Sequence, residues 1–136
     1  MTTLLKSATI IDTSSPYHYQ TKDILIVNGK ISEIATTIQQ EPSYKTIKLD
    51  NLHVSCGWFD TSVSFGEPGY EERETINKGL EVASKSGFTA VAVNANTNPV
   101  IDSKSDVEFL INKATKSATN LFPIGALTKG SKGIDM

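Results

Sequence analysis

Short β-branched runs separated by turn residues dominate the first fifty positions. Ala8-Thr9-Ile10-Ile11 reads as a strand closed by Ser14-Ser15-Pro16. Asp23–Val27 and Lys30–Ile34 flank Asn28-Gly29, whose tolerance of positive φ suits a type I′ hairpin turn. Glu41-Pro42-Ser43 marks another turn, and Thr46-Ile47-Lys48-Leu49 alternates polar with apolar as a half-buried strand does. From about residue 51 the pattern becomes alternating β and α. Val54 to Phe65 predicts a strand and its following loop. Glu71-Glu72-Arg73-Glu74 predicts a helix start, with acids opposing the positive end of the helix dipole. Ile76, Leu80 and Ala83 form its inner stripe, and Gly87 suits the residue after its C-cap. Phe88–Val93 reads as a buried parallel strand. Ser103 or Ser105 caps a second helix with Val107, Leu110, Ile111 and Ala114 inward. Asn120 ends that helix, and Leu121 to Leu127 is a third strand. No internal repeat or low-complexity segment interrupts this order.

Composition narrows the function classes. The 136 residues suit one ordinary domain, and a net charge of −2 with interspersed lysines and acids offers no nucleic-acid footprint. No apolar run approaches the roughly 20 residues of a membrane span, and no secretory signal opens the chain. The lone Cys56 has no disulfide partner within the chain, which fits a reduced, cytoplasmic setting.

The chemistry concentrates in Gly57-Trp58-Phe59-Asp60-Thr61-Ser62-Val63-Ser64-Phe65-Gly66-Glu67-Pro68-Gly69. Ser62 and Ser64 stand two apart, so on a strand they share a face. Two histidines so placed would reach one metal ion together. Two neutral hydroxyls are poor ligands for a divalent transition metal.

This stretch resembles the signature of dihydroorotases and related cyclic amidohydrolases, G-F-I-D-x-H-x-H-x-R-E-P-G. Asp60, Glu67, Pro68 and Gly69 match it. The metal-binding histidines of the family fall on Ser62 and Ser64, and its substrate-binding arginine falls on Gly66. Phe88-Thr89-Ala90-Val91-Ala92-Val93-Asn94-Ala95-Asn96-Thr97-Asn98-Pro99 resembles a second motif, F-T-x-V-x-x-M-P-N-T-x-P. Asn96 occupies its substrate-binding asparagine position. Leu127-Thr128-Lys129-Gly130 resembles a third segment.

The resemblance implies an α/β chain forming the N-terminal part of a (β/α)8 TIM barrel, about three strands and two helices, preceded by part of a small β-sandwich. Residues 1–50 would be the sandwich portion and residues 51–136 the first part of the barrel. A complete barrel typically needs about 250 residues. The family binds one or two zinc ions and hydrolyses a cyclic amide, with dihydroorotate and carbamoyl-aspartate as the type pair. With Ser62, Ser64 and Gly66 at the reactive positions, no zinc and no catalytic residue is expected in this chain, and Asn96 is a vestigial binding residue. The expected function is a catalytically inactive, structural member of pyrimidine biosynthesis. The expected partners are further copies of itself or aspartate carbamoyltransferase. The alternatives are an active hydrolase whose metal site is completed beyond residue 136, or a small-molecule binder without turnover.

Other chemically capable residues have plainer readings. His18 falls in a loop and His53 at the N-terminal end of a strand, the wrong end for a barrel site. Cys56 suits a small buried position. Asp60 would hydrogen-bond within its strand, and Glu67 would form exposed loop pairs with Arg73 or Lys78.

Overall fold

A single long strand, β1 (Thr2–Ile11), organises the first fifty-odd residues of the computed structural model, which describes residues 1–135. It pairs antiparallel with β2 (Thr21–Val27), which pairs antiparallel with β3 (Lys30–Ala35). On its other side β1 takes β4 (Lys45–Lys48) and, further along, β5 (His53–Ser55), both parallel. The hairpin turn is the expected one: Asn28 and Gly29 have φ of 51° and 78°, and Val27 faces Lys30.

The strand begins earlier than its alternation suggests, because the alternation is broken by a bulge. The register slips between Leu5 and Ala8, and Ser7 adopts φ 56°. An extra residue reverses the facing of everything after it. Leu5 before the bulge and Ala8 and Ile10 after it therefore pack on one cluster with Ile24, Ile34 and Val54. Asp23 holds the bulge: its carboxylate accepts from Ser7 N (2.9 Å) and Ile38 N (2.9 Å) and pairs with Lys6 Nζ.

Val54 was expected to open the strand that carries the Ser62/Ser64 stretch. It instead lies opposite Ile10 in the β1–β5 ladder. Its apolar side chain fits either role, and the pairing partner decides. The chain divides at this point into two units, Met1–Cys56 and Gly57–Met136.

The second unit alternates β6 (Trp58–Val63), α1 (Ile76–Lys85), β7 (Phe88–Val93), α2 (Lys104–Ala114) and β8 (Asn120–Pro123), followed by one 3-10 turn at Lys129–Ser131. The sheet order is β6-β7-β8, all parallel. Both helices pack against the sheet through Ile76, Leu80, Val91, Val93, Leu110 and Leu121. Burying each such large aliphatic side chain contributes about 1.5–3 kcal/mol. The α2 start is legible: Ser103 and Asp106 form a reciprocal capping box.

Three element boundaries differ from expectation. The helix after β6 starts at Ile76, capped by Thr75, whose side chain accepts from Lys78 N. The backbone of residues 66–74 is spent on a closed turn instead, with Gly66 N to Glu74 O at 2.9 Å and Tyr70 N to Gly66 O at 2.8 Å. The second helix stops at Ala114 and Asn120 opens β8, which runs only to Pro123. Ile111, expected inward, is nearly half exposed, because the α2 stripe is centred on Leu110 and flanked by Val107 and Ala114.

The sheet face bearing Phe59 and Phe122 is uncovered by the helices. Their rings meet edge to face at 5.8 Å, and both are more than half exposed. No helix among the described residues is long and apolar enough to cross a membrane.

Candidate functional site

The C-terminal ends of β6 and β7 bring four short polar side chains together. The strands run parallel with Val63 opposite Val93, and Asn94 N donates to Val63 O at 2.9 Å. Between Asp60 and Val63, β6 carries an extra residue relative to β7. Asp60 absorbs this irregularity, its Oδ1 accepting from Ser62 N at 3.0 Å. This matches the local hydrogen-bonding role expected of it.

Ser62 and Ser64 converge as their spacing requires. Asn94 Nδ2 donates to Ser62 Oγ at 3.1 Å and to Ser64 Oγ at 3.3 Å. Asn96 Nδ2 donates to Ser64 Oγ at 3.0 Å. Ser62, Ser64 and Asn96 are exposed and Asn94 is half-buried, so the network is open to solvent. Asn94 was not singled out in the sequence. The signal was available: it lies two residues before Asn96, at the end of the strand that neighbours the serines.

This donor set does not fit zinc. Two hydroxyls and two carboxamides offer neither imidazole nor thiolate nor carboxylate. Among the described residues no group of three or more His, Cys, Asp or Glu converges to hold a metal ion.

Gly66 is more than a missing side chain. A Cβ built there would lie 1.9 Å from Tyr70 O and 3.1 Å from Glu74 O, both backbone atoms. The loop has closed over the space an arginine would need. A bidentate guanidinium contact to a carboxylate therefore has no origin at this position.

Glu67 overturns the expectation of an exposed loop pair. It is buried, its Oε2 accepts from Ile76 N at 3.0 Å, and its Oε1 pairs with Lys113 Nζ of α2. Arg73 lies over the Tyr70 ring at 4.3 Å instead, and Lys78 pairs with Glu81. The negative charge at the start of α1 thus comes from a loop residue nine positions upstream, not from the first turn, which holds no acid.

The two loops after β6 and β7 also hold each other. Asn98 N donates to Pro68 O at 3.0 Å, and Gly69 lies so close to Asn98 that a Cβ would come within 1.9 Å of its carbonyl oxygen.

The remaining candidates stay within the first unit. His18 Nδ1 accepts from Asp12 N at 3.1 Å, and His53 Nδ1 lies 2.7 Å from Asn51 O. Cys56, expected buried, is exposed, because β5 ends one residue before it. The Asp12 carboxyl sits below its ordinary range, chiefly through Ser14, with smaller contributions from Cys56 and His18. One concavity of about 520 Å³ is bordered by residues of α1, α2 and positions 115–118, among them Asn77, Glu81 and Lys116. None of Ser62, Ser64, Asn94 or Asn96 lines it.

Residues 53–136 match the family described as dihydro-orotase-like. A dihydroorotase from Ruminiclostridium cellulolyticum is 41% identical over all of this chain, which spans 32% of that protein. One from Geobacter metallireducens is 36% identical over 98% of this chain and 31% of its own length. The chain therefore spans about a third of the length of these relatives. Among solved structures, the L-hydantoinase (dihydropyrimidinase) of Arthrobacter aurescens superposes with a TM-score of 0.74 at 19% identity, covering 90% of this chain and 27% of its own. A dihydroorotase crystal structure gives 0.66 at 15% identity, covering 95% and 32%. At these identities the structural likeness establishes the fold, a mixed α/β arrangement of sheets and two helices found in part of those larger proteins.

Proposed function

The chain belongs to the dihydro-orotase-like family, and from that premise we propose that it is the opening part of a (β/α)8 barrel that no longer catalyses the family reaction. The unit ending at Cys56 would contribute part of a small β-sandwich, and the unit from Gly57 the first three strands and two helices of the barrel. The family reaction opens dihydroorotate's ring or closes that of carbamoyl-aspartate. In this reading the protein keeps the scaffold and serves a structural role in pyrimidine biosynthesis in the cytoplasm.

The observation that carries the reading is the hydrogen-bonded set Ser62–Asn94–Ser64–Asn96. Zinc would need imidazoles where the serines stand. Carboxylate recognition would need a guanidinium where Gly66 is enclosed by Tyr70 and Glu74. The exposed Phe59 and Phe122 pair lies on the face that the helices leave uncovered, where the remaining strands of a complete barrel would close over it. Further copies of this protein and aspartate carbamoyltransferase are the proposed partners.

One observation favours a second reading. The 41% identity to a protein named dihydroorotase favours an active hydrolase whose metal ligands all come from residues outside this chain. Zinc content and dihydroorotate turnover of the full-length protein decide between the two. Zinc-free, inactive protein supports the structural reading. About one zinc per chain with turnover above a chelated control overturns it.

A further inference from the structure

The hairpin turn between β2 and β3 exposes one chemically labile peptide bond. Asn28-Gly29 is the only asparagine–glycine pair in the sequence. Every other asparagine precedes a residue with a side chain, which crowds the amide nitrogen that follows. Asn28 and Gly29 are both exposed, and a Cβ built on Gly29 would meet nothing within 4 Å. Among the described residues the Gly29 N–H has no hydrogen-bond acceptor. A side-chain carboxamide and an unhindered, unbonded amide nitrogen thus stand side by side in solvent.

The intact turn restrains the reaction between them. With φ of 51° and 78°, both residues sit in the left-handed region that a type I′ turn requires. Asn28 Oδ1 accepts from Met1 N at 3.0 Å, and Asn28 N donates to Met1 O at 3.0 Å. These contacts tie the carboxamide to the start of β1, and attack on it needs the reacting atoms brought into line. That geometry becomes available when the turn opens. The turn belongs to an element suited to opening. Among the described residues β3 is the outermost strand of its sheet, its first four residues are exposed, and Ile31 is 62% exposed. Segments with few buried contacts open first.

We infer that Asn28 is a site of spontaneous covalent modification, gated by opening of β3, and that its conversion to isoaspartate releases β3 from β2. The Gly29 nitrogen loses its proton to solvent and attacks Asn28 Cγ. An N–C bond forms, the Cγ–Nδ2 bond breaks, and ammonia leaves a five-membered succinimide. Water then adds to one of the two imide carbonyls. Opening one way gives aspartate; opening the other gives isoaspartate, whose main chain runs through the former side chain and is one methylene longer. A two-residue turn with Val27 opposite Lys30 has no place for that atom. The Ile26–Ile31 and Ile24–Ile34 pairings are then lost, and the outer edge of β2 is left bare. The inference is independent of the metal and of the family reaction.

The test incubates the full-length protein at mildly alkaline pH, folded and in urea, and maps its peptides by mass spectrometry. Isoaspartate is counted by enzymatic methylation with a protein-isoaspartate methyltransferase. Asn28 is expected to convert before any other asparagine, about ten- to hundredfold more slowly folded than unfolded, as gating by an edge strand requires. The isoaspartate fraction, separated by chromatography, is expected to lose amide-exchange protection at Ile31 and Ile34. Asn28→Asp carries the same new charge without the extra methylene and is expected to keep that protection. Conversion at another asparagine first, or at Asn28 as fast folded as unfolded, overturns the inference. No conversion at Asn28 once the expected range of times has passed overturns it as well. An isoaspartate form with Ile31 and Ile34 still protected, or Asn28→Asp protein that has lost their protection, overturns the release of β3.

Discussion

Glu67 and Lys113 form a partly buried ion pair that ties the loop after β6 to the last turn of α2. The carboxylate is buried, while the lysine side chain is 38% exposed. Two elements separated by 46 positions are thereby fixed at the loop that carries Gly66 and Gly69.

Removing the lysine should cost more than exchanging the acid for its amide. Lys113→Met leaves the buried Glu67 carboxyl with only Ile76 N as partner. The expected loss is about 1–3 kcal/mol, discounted for the exposure of the lysine. Glu67→Gln keeps an acceptor for Ile76 N and should lose less. Urea unfolding of both variants checks this, and equal losses would show that the charge is immaterial.

Acid should loosen the first unit through Asp23. Burial opposes its charge but is outweighed by Lys6 and by the Ile38 and Ser7 N–H groups, so its carboxyl titrates below the usual range. A folded-state value below the unfolded one stabilises above the unfolded pKa of about 4. That contribution is lost as pH falls through the lower, folded value. Asp23→Asn should lower stability near neutrality and flatten its decline below about pH 4. Unfolding free energies from pH 3 to 7 would refute this if wild type and variant declined in parallel.

Restoring the family residues should not restore a site. Gly66→Arg must displace the backbone of Tyr70, and even Gly66→Ala is expected to cost about 1–3 kcal/mol, as overpacking does. Ser62→His/Ser64→His should leave dihydroorotate turnover undetectable in this chain. Zinc binding and activity assays of the triple variant measure the result. Turnover would mean that the loop yields more easily than its contacts imply.

Gly79 is a helix position where alanine should hurt. Alanine improves helix propensity by about 1 kcal/mol. Its Cβ, however, would meet the buried Phe65 ring at 2.2 Å. Overpacking at about 1–3 kcal/mol outweighs the propensity gain. Phe65→Leu should reverse the sign, so a double-mutant cycle by thermal unfolding isolates the clash.

Local chemistry was legible where neighbouring residues settle it. Asn28-Gly29 turns a hairpin, Ser103 caps α2, and Ile76 and Leu80 face the sheet. Ser62 and Ser64 share a face because their spacing demands it. Features that depend on distant partners were not. Val54 looks the same whether it pairs with β1 or leads into β6. Glu67 looks like a loop acid until Lys113 arrives from α2. The Glu71–Glu74 run has good helix-start chemistry, but its backbone is claimed by Gly66. Asn94 was readable from strand period and neighbouring register together, and from neither alone.

The contact between Gly69 and Asn98 has a consequence for how such chains diverge. One loop presses its bare Cα against the carbonyl of the other, and Pro68 O receives Asn98 N. Neither segment can gain or lose a residue without disturbing the other's path. The two loops should therefore be inherited, and transplanted, as a pair. A chimera that takes residues 64–75 from a relative but keeps residues 94–100 should misfit at this seam, whereas exchanging both segments should preserve it.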